Sequence, residues 1–359
     1  MQKIESIDSA QKTFRFTTGN ATIDNLKAGD VVIFGDYTFR KVRSVSSFGN
    51  IKTVQTDSCA ITDAIKNCNI NWDYGVRFDP NVIKRHPKFG KRSAVTAADT
   101  FGVQLEKGDY EYAVGIKLLT DRMNVNVRAL KKLAGSKVAE LRADAVIYKS
   151  RALGKILIEN GKLMEFEARN DFAAGDVTLE LAAAGSGRDI GIEVEIPMLV
   201  LPIPQMPVFT FEVKTLIVIN ANVPGDGSSL IKARFKYDVD GGFKYVNGTS
   251  VRSIAQLRGD EVTKQNEPRT GASSGVAISW GLALPKLELK FLDTPIGWVQ
   301  TAYLIGGDYT PAFPACQRAK AQFIGAAGYG IGAFGFTLAS GSTTLWQKEY
   351  VFLKTAQCP

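Results

Sequence analysis

The chain has 359 residues, of which 45% are hydrophobic and 22% charged, and its formal net charge is +8 at pH 7. This composition excludes a disordered or fibrous chain, and no apolar run approaches the roughly 20 residues of a membrane-spanning helix. One histidine and four cysteines, with no C-x-x-C, argue against histidine catalysis and against a Cys/His metal centre.

The dominant periodicity is two, as in half-buried strands. It starts with "TFRFT", "DVVIF" and "RKVRSV" and continues through "VTLEL", "IGIEVEI", "TFEVKTLIVI", "RFKYDV" and "LELKF". Short alternating strands with Gly and Asx turns predict an all-β chain of antiparallel sandwich or barrel-like domains, with one or two very short helices. The start, "MQKIESIDSAQKTFRF", lacks the basic, apolar and small-residue regions of a signal peptide.

Residues 26 to 65, "LKAGDVVIF…RKVRSV…VQTDSCAIT", resemble the opening strands of self-splicing Hint-type modules in their strand-turn-strand shape. Those modules need an N-terminal nucleophile and a histidine in a T-x-x-H position. Here Thr56 is followed by Asp57, Ser58 and Cys59, so the resemblance carries no activity.

The segment "SCAITDAIKNC" predicts one or two helical turns capped by Asp57 or Ser58, with Ile61, Ala64 and Ile65 inward. Cys59 and Cys68 bracket it, and Cys316 and Cys358 form a second near pair. Four cysteines allow three connectivities. The local pairs Cys59–Cys68 and Cys316–Cys358 are favoured, since each stays within one domain. They point to an oxidising compartment and so to a secreted or cell-surface protein whose leader is not in this chain. The alternative is buried free thiols in a cytosolic protein.

Lys84, Arg85, Lys88, Lys91 and Arg92, in "KRHPKFGKR", are the densest basic cluster and the candidate contact for an anionic polymer. The bland reading is a solvated loop. Only Phe89 interrupts the cluster, which argues against nucleic acid. Further on, "VRALKKLAG" (127–135) has the spacing of a short helix ending at Gly135. In "KILIENGKLMEFEA" the Asn160-Gly161 pair predicts a type I′ hairpin with Glu159 facing Lys162. "GSGRD" (185–189) is a turn.

Length predicts two domains. The proline-rich "PMLVLPIPQMP" (197–207) places their boundary near 202, giving domains 1–201 and 202–359, with a sub-boundary near 84–98. "FKYDVDGGFKYV" reads as a second hairpin turning at Asp240, Gly241 and Gly242. It faintly resembles a calcium loop, but the remaining oxygen ligands are missing. "LRGDEVTKQNEPRTGASSG" (257–275) reads as a long irregular tract. In "GAAGYGIGAFGF" (325–336), Gly328, Gly330 and Gly332 share one strand face, opposite Tyr329 and Ile331, with a bulge at Ala333-Phe334 that puts Gly335 on the glycine side. Such a face seats neighbouring aromatics, or forms a shallow binding groove or membrane-facing hairpin.

No nucleophile elbow, zincin or Walker motif is present, and no cofactor is implied. Asp57, Glu111, Asp238 and Asp240 are the carboxylates to watch for a two-acid hydrolase. Trp72, Trp280, Trp298 and Trp346 lie near Gly or polar residues, as saccharide-stacking rings do, although such rings are more often core. Candidate ligand contacts are therefore Trp280, Trp298 and Tyr329 beside the five basic residues. The sequence favours a non-enzymatic adhesion, matrix-assembly or glycan-binding protein that takes an anionic polysaccharide or cell-surface polymer. The alternatives are a lipid-binding or pore-forming protein, a polysaccharide hydrolase, and a self-assembling structural protein.

Overall fold

In the computed structural model the described residues are all except 1–3, 9–11, 34–38, 77, 79–83, 86–99, 134–135, 186, 203–208, 225, 273–274, 292–293, 312–314, 331–339, 356–357 and 359. The protein is all-β. Its strands pair antiparallel throughout the described residues and form three sheets, with two four-residue helices.

The alternation of "TFRFT" and its successors builds a first, five-stranded sheet. It contains β1 (Ile4–Asp8), β2 (Thr13–Thr17), β3 (Val31–Ile33), β4 (Phe39–Phe48) and β5 (Ile51–Ser58), in the order β1-β2-β5-β4-β3. Phe14, Phe16, Val42 and Val54 point to one face and form a core of their own. The helix α1 (Ala21–Asp24) is capped by Asn20, whose side-chain oxygen accepts from the Thr22 N–H at 2.9 Å.

The helix α2 (Ile61–Ala64) forms where expected, but Asp57 and Ser58 do not cap it, because both belong to β5. Asp63 instead accepts from the Ala60 N–H at 2.8 Å. The expected Cys59–Cys68 bridge is absent, and both thiols are free. Each packs against the core as a small apolar side chain, and burial pushes both thiols up. The Cys316–Cys358 disulfide is present.

Two larger sheets share one core. The first contains β6 (Cys68–Val76), β8 (Thr100–Lys107), β9 (Tyr110–Leu118), β10 (Arg122–Leu133), β11 (Ser136–Tyr148), β12 (Ser150–Glu159), β13 (Lys162–Ala184), β16 (Ser228–Val246), β17 (Arg252–Lys264) and β18 (Arg269–Gly271). Its main path runs β17-β16-β13-β11-β10-β9-β8. The second runs β22-β21-β20-β19-β15-β14-β7, with β7 (Lys84–Arg85), β14 (Gly187–Pro202), β15 (Phe209–Val223), β19 (Val276–Phe291), β20 (Thr294–Thr310), β21 (Cys316–Gly330) and β22 (Ser340–Lys354). Phe166, Phe235, Tyr237 and Phe243 of the ten-stranded sheet meet Trp280, Tyr303 and Phe323 of the seven-stranded one in a single buried cluster.

Residue 202 ends β14, which pairs with β15 from Gly187↔Val223 to Pro202↔Thr210, and the common core draws on residues either side of it. Pro197 sits at a register shift, where a missing N–H is tolerated. Of the 84–98 tract, only Lys84 and Arg85 lie within the described residues.

Three local expectations are corrected. Residues 127–133 are strand, not helix: Val127 and Ala129 point inward beneath Val114 and Leu141, so tertiary pairing overrides the ambiguous spacing. Asp240-Gly241-Gly242 is no turn but the middle of β16. A Cβ at Gly242 would lie 2.3 Å from the Ala168 carbonyl, so the glycine serves close strand approach. The tract from 257 begins as β17, an outer strand with little burial on either face, which hides its alternation.

The Asn160-Gly161 hairpin is as expected, with φ of 51° and 70° and Glu159 opposite Lys162. The glycines of β21 seat tryptophans: a Cβ at Gly325 would lie 2.1 Å from the Trp346 ring, and one at Gly328 2.3 Å from the Trp298 ring. Gly332, Gly335 and the expected bulge at 333–334 fall outside the described residues.

Candidate ligand-binding trough

The long strand β13 breaks its alternation in mid-course, after an earlier shift near its start between Leu163 and Phe166. Phe166, Ala168 and Asn170 point inward on even positions, whereas Ala173, Val177, Leu179 and Leu181 do so on odd ones. The phase changes at Asp171-Phe172, where the register with β16 also shifts. β12 pairs with β13 before this point and β11 after it, so the bulge lies where one neighbouring strand replaces the other.

Phe172 stands at φ 56° and is 55% exposed. A bulky side chain in the left-handed region carries strain of about 1–3 kcal/mol and persists only where its surroundings hold it. Here the holder is Asp240 of β16, buried, which accepts the Phe172 N–H at 2.7 Å. Asp240 also pairs with Arg258 of β17, whose guanidinium lies 4.5 Å from the centre of the Phe172 ring. Arg258 donates to Asp238 at 2.9 Å as well. The hydrogen bonds that Arg258 donates to these two carboxylates raise its pKa above its ordinary value, the one to Asp238 contributing most. Asp171, buried on the other arm of the bulge, accepts from Arg169 at 3.0 Å.

Beside this bulge the outer face of the ten-stranded sheet sinks into a trough of about 400 Å³. Its floor follows from the register: Ala174, Asp238 and Gly259 lie in one row across β13, β16 and β17, and the small residues on either side of Asp238 leave the depth. The next row, Asp176, Lys236 and Glu261, is one wall. Tyr148, the last residue of β11, is 41% exposed and also lines it. Under the floor, Gly175 makes room for the Tyr237 ring, which packs on Tyr303 and Phe323, and burial pushes the Tyr237 and Tyr303 phenols well up.

The residues expected to bind are not brought together. Trp280 is fully buried in the core and offers no stacking face. Tyr329 faces inward and packs on Phe243, with ring centres 5.6 Å apart. Trp298 is half-buried on the outer face of the seven-stranded sheet, with the Lys286 ammonium 5.5 Å from its ring centre. Lys84 and Arg85 form the edge strand of that same sheet, pairing with Val200 and Leu199, while Lys88, Lys91 and Arg92 lie outside the described residues.

Beside Trp298 lies an interlocked cluster of three lysines and three glutamates. Lys214 bridges Glu195 at 2.7 Å and Glu288 at 2.9 Å; Lys286 reaches Glu195 at 3.1 Å, and Lys290 pairs with Glu212. Glu212 and Glu288 face each other across β15 and β19, but both lie within ion-pair reach of Lys214 and Lys290. Each of these carboxylates is thus tied into ion pairs with the same two ammonium groups, which suits a structural role rather than an acid–base pair.

Of the watched carboxylates, Asp238 and Asp240 share Arg258, while Asp57 lies opposite Lys41 in the five-stranded sheet and Glu111 opposite Glu106 in the hairpin of β8 and β9. Among the described residues, no group of three or more His, Cys, Asp or Glu side chains is placed to hold a metal ion. Nor is any described helix long and apolar enough to cross a membrane.

Sequence reasoning missed Tyr148, Phe172, Lys236, Arg258 and Glu261. One signal was available for Phe172: the inward positions of "FEARNDFAAGDVTLEL" change parity across it. No protein-family model, curated protein or solved structure matches the chain.

Proposed function

We propose that this protein is a non-enzymatic binding protein, secreted or surface-associated, that attaches to a glycan polymer through the trough beside Phe172. The observation that carries the reading is a phenylalanine held outward, in a conformation it does not favour, by a buried aspartate. Backbone strain of that kind is retained where the exposed group has a use. An exposed ring suits the apolar C–H face of a sugar, and Tyr148 offers a second. Within the trough, Lys236 can donate to hydroxyl groups, and Asp176, Asp238 and Glu261 can accept from them. The paired carboxylates elsewhere favour attachment over hydrolysis, and the Cys316–Cys358 disulfide is in keeping with an oxidising compartment.

Co-sedimentation with insoluble polysaccharides and with liposomes tests the reading. Pelleting with a polysaccharide should weaken about tenfold or more on Phe172→Ala or Tyr148→Ala, as for a central contact residue. Pelleting with liposomes alone would overturn it, as would sugar release by the wild-type chain.

A further inference from the structure

The +8 charge of the chain suggests a polyanion as ligand, but the described residues that line the trough carry no basic excess. Residues 84–92 alone carry five Lys and Arg and no Asp or Glu. In the trough each charge has its opposite close by. Asp176 accepts from Arg234 at 2.8 Å, Asp238 is held by Arg258, and Asp260 is held by Lys348 at 2.5 Å. Lys236 and Glu261 are direct neighbours in the strand register. The four lining carboxylates, Asp176, Asp238, Asp260 and Glu261, thus have Arg234, Arg258, Lys348 and Lys236 beside them, with Arg258 serving Asp240 as well.

Ion pairing continues elsewhere on the outer face. Lys232 pairs with Glu180 at 3.0 Å, Arg128 with Glu140 at 2.6 Å, and Glu165 with both Lys155 and Lys244 at 2.6 Å. Opposed and diagonal positions on adjacent strands bring these partners together. A face built this way has little net field to draw in a ligand of either sign. A polyanion entering the trough would meet Asp176, Asp238 and Glu261, and a polycation would meet Lys236 and the arginines paired there.

Resting on the glycan reading above, we propose that the trough takes an uncharged saccharide. Tyr148 and Phe172 cover its C–H faces, and its hydroxyls bridge Lys236 and Glu261, donating to one and accepting from the other. Binding then owes little to long-range electrostatics and resists salt.

The test uses the full chain and four soluble polymers: a neutral glucan, a neutral mannan, a uronic-acid polymer and an amino-sugar polymer, each titrated at low and high salt. The wild-type chain should bind one of the neutral polymers with an affinity that changes less than about twofold with salt. Phe172→Ala and Tyr148→Ala should each weaken that binding about tenfold or more, while circular dichroism and the urea midpoint report an intact fold. Lys236→Gln, an exposed change that leaves the aromatics in place, should weaken it by less, about threefold to tenfold, the size of one exposed hydrogen bond. Binding of a charged polymer that Phe172→Ala abolishes, or neutral-polymer binding that collapses in high salt, would overturn the uncharged-ligand assignment while keeping the glycan reading. If no polymer binds in a way that depends on Phe172, the glycan reading itself fails, and the assignment with it.

Discussion

Removing the side chain that holds Phe172 tests how the binding face is built. In Asp240→Ala, the Phe172 N–H loses the acceptor it meets at 2.7 Å, and Arg258 loses one of two carboxylate partners. An orphaned, partly buried N–H costs about 1–3 kcal/mol, and the loss of one charged hydrogen bond to a cation that keeps its other partner adds about 1 kcal/mol. Some of this is returned if the bulge relaxes and Phe172 leaves the left-handed region, so the net loss should be about 2–3 kcal/mol. Asp240→Asn keeps an oxygen for the Phe172 N–H and loses only the charge toward Arg258, for about 1 kcal/mol. Urea unfolding of both variants beside the wild type measures this, with an unchanged slope showing that the compared states are the same. Glycan binding should fall in Asp240→Ala even where the fold persists. If that variant were within about 0.5 kcal/mol of wild type, the size of an ordinary surface change, Asp240 would not be holding the bulge and the strain argument would fail.

Acid should loosen the edge where the two large sheets meet. Asp260 of β17 takes Lys348 and Tyr350 of β22; burial would raise its pKa, but these hydrogen bonds outweigh burial and depress it. A depressed carboxylate adds stability that is fully present above its unfolded pKa of about 3.9 and is lost as pH falls through the lower folded value. The gap in urea midpoint between wild type and Asp260→Asn should thus be open at neutral pH and close in strong acid. Within the Lys–Glu cluster, Lys214→Met strips Glu288 of its near partner and leaves Glu195 only Lys286, which should cost about 3 kcal/mol, partly restored by adding Glu288→Gln. Reducing Cys316–Cys358, a span of 42 residues, should lower stability by about 4 kcal/mol in the chain-entropy account. Without reductant, the unfolded protein should present two alkylatable thiols, Cys59 and Cys68, which react slowly when folded because burial raises both pKa values.

Much of the local structure was legible because it depends on neighbours in the chain. Period-two alternation named the strands, Asn160-Gly161 named its hairpin through positive φ at both residues, and the terminal cysteines named their bridge. The local pair Cys59 and Cys68 stayed unbridged, and in two further places where reading failed the deciding partner was far away in sequence. Asp240-Gly241-Gly242 has the composition of a turn, yet β13 lies so close that a Cβ at Gly242 has no room, and the chain runs straight on. Residues 127–133 have an ambiguous spacing that β9 and β11 settle by pairing on both sides.

The trough belongs to this second kind. Its floor is a row of residues 174, 238 and 259, its wall a row of 176, 236 and 261, and no local pattern joins such distant positions. Alternation by itself determined that the chain forms strands, and composition that it carries a basic excess. Only tertiary pairing decided which cations meet which carboxylates on the outer face, and that Phe172 is turned outward and kept there. Alternation specifies which face of a strand is apolar, but the neighbour of each side chain is set by strand order and register, which are non-local.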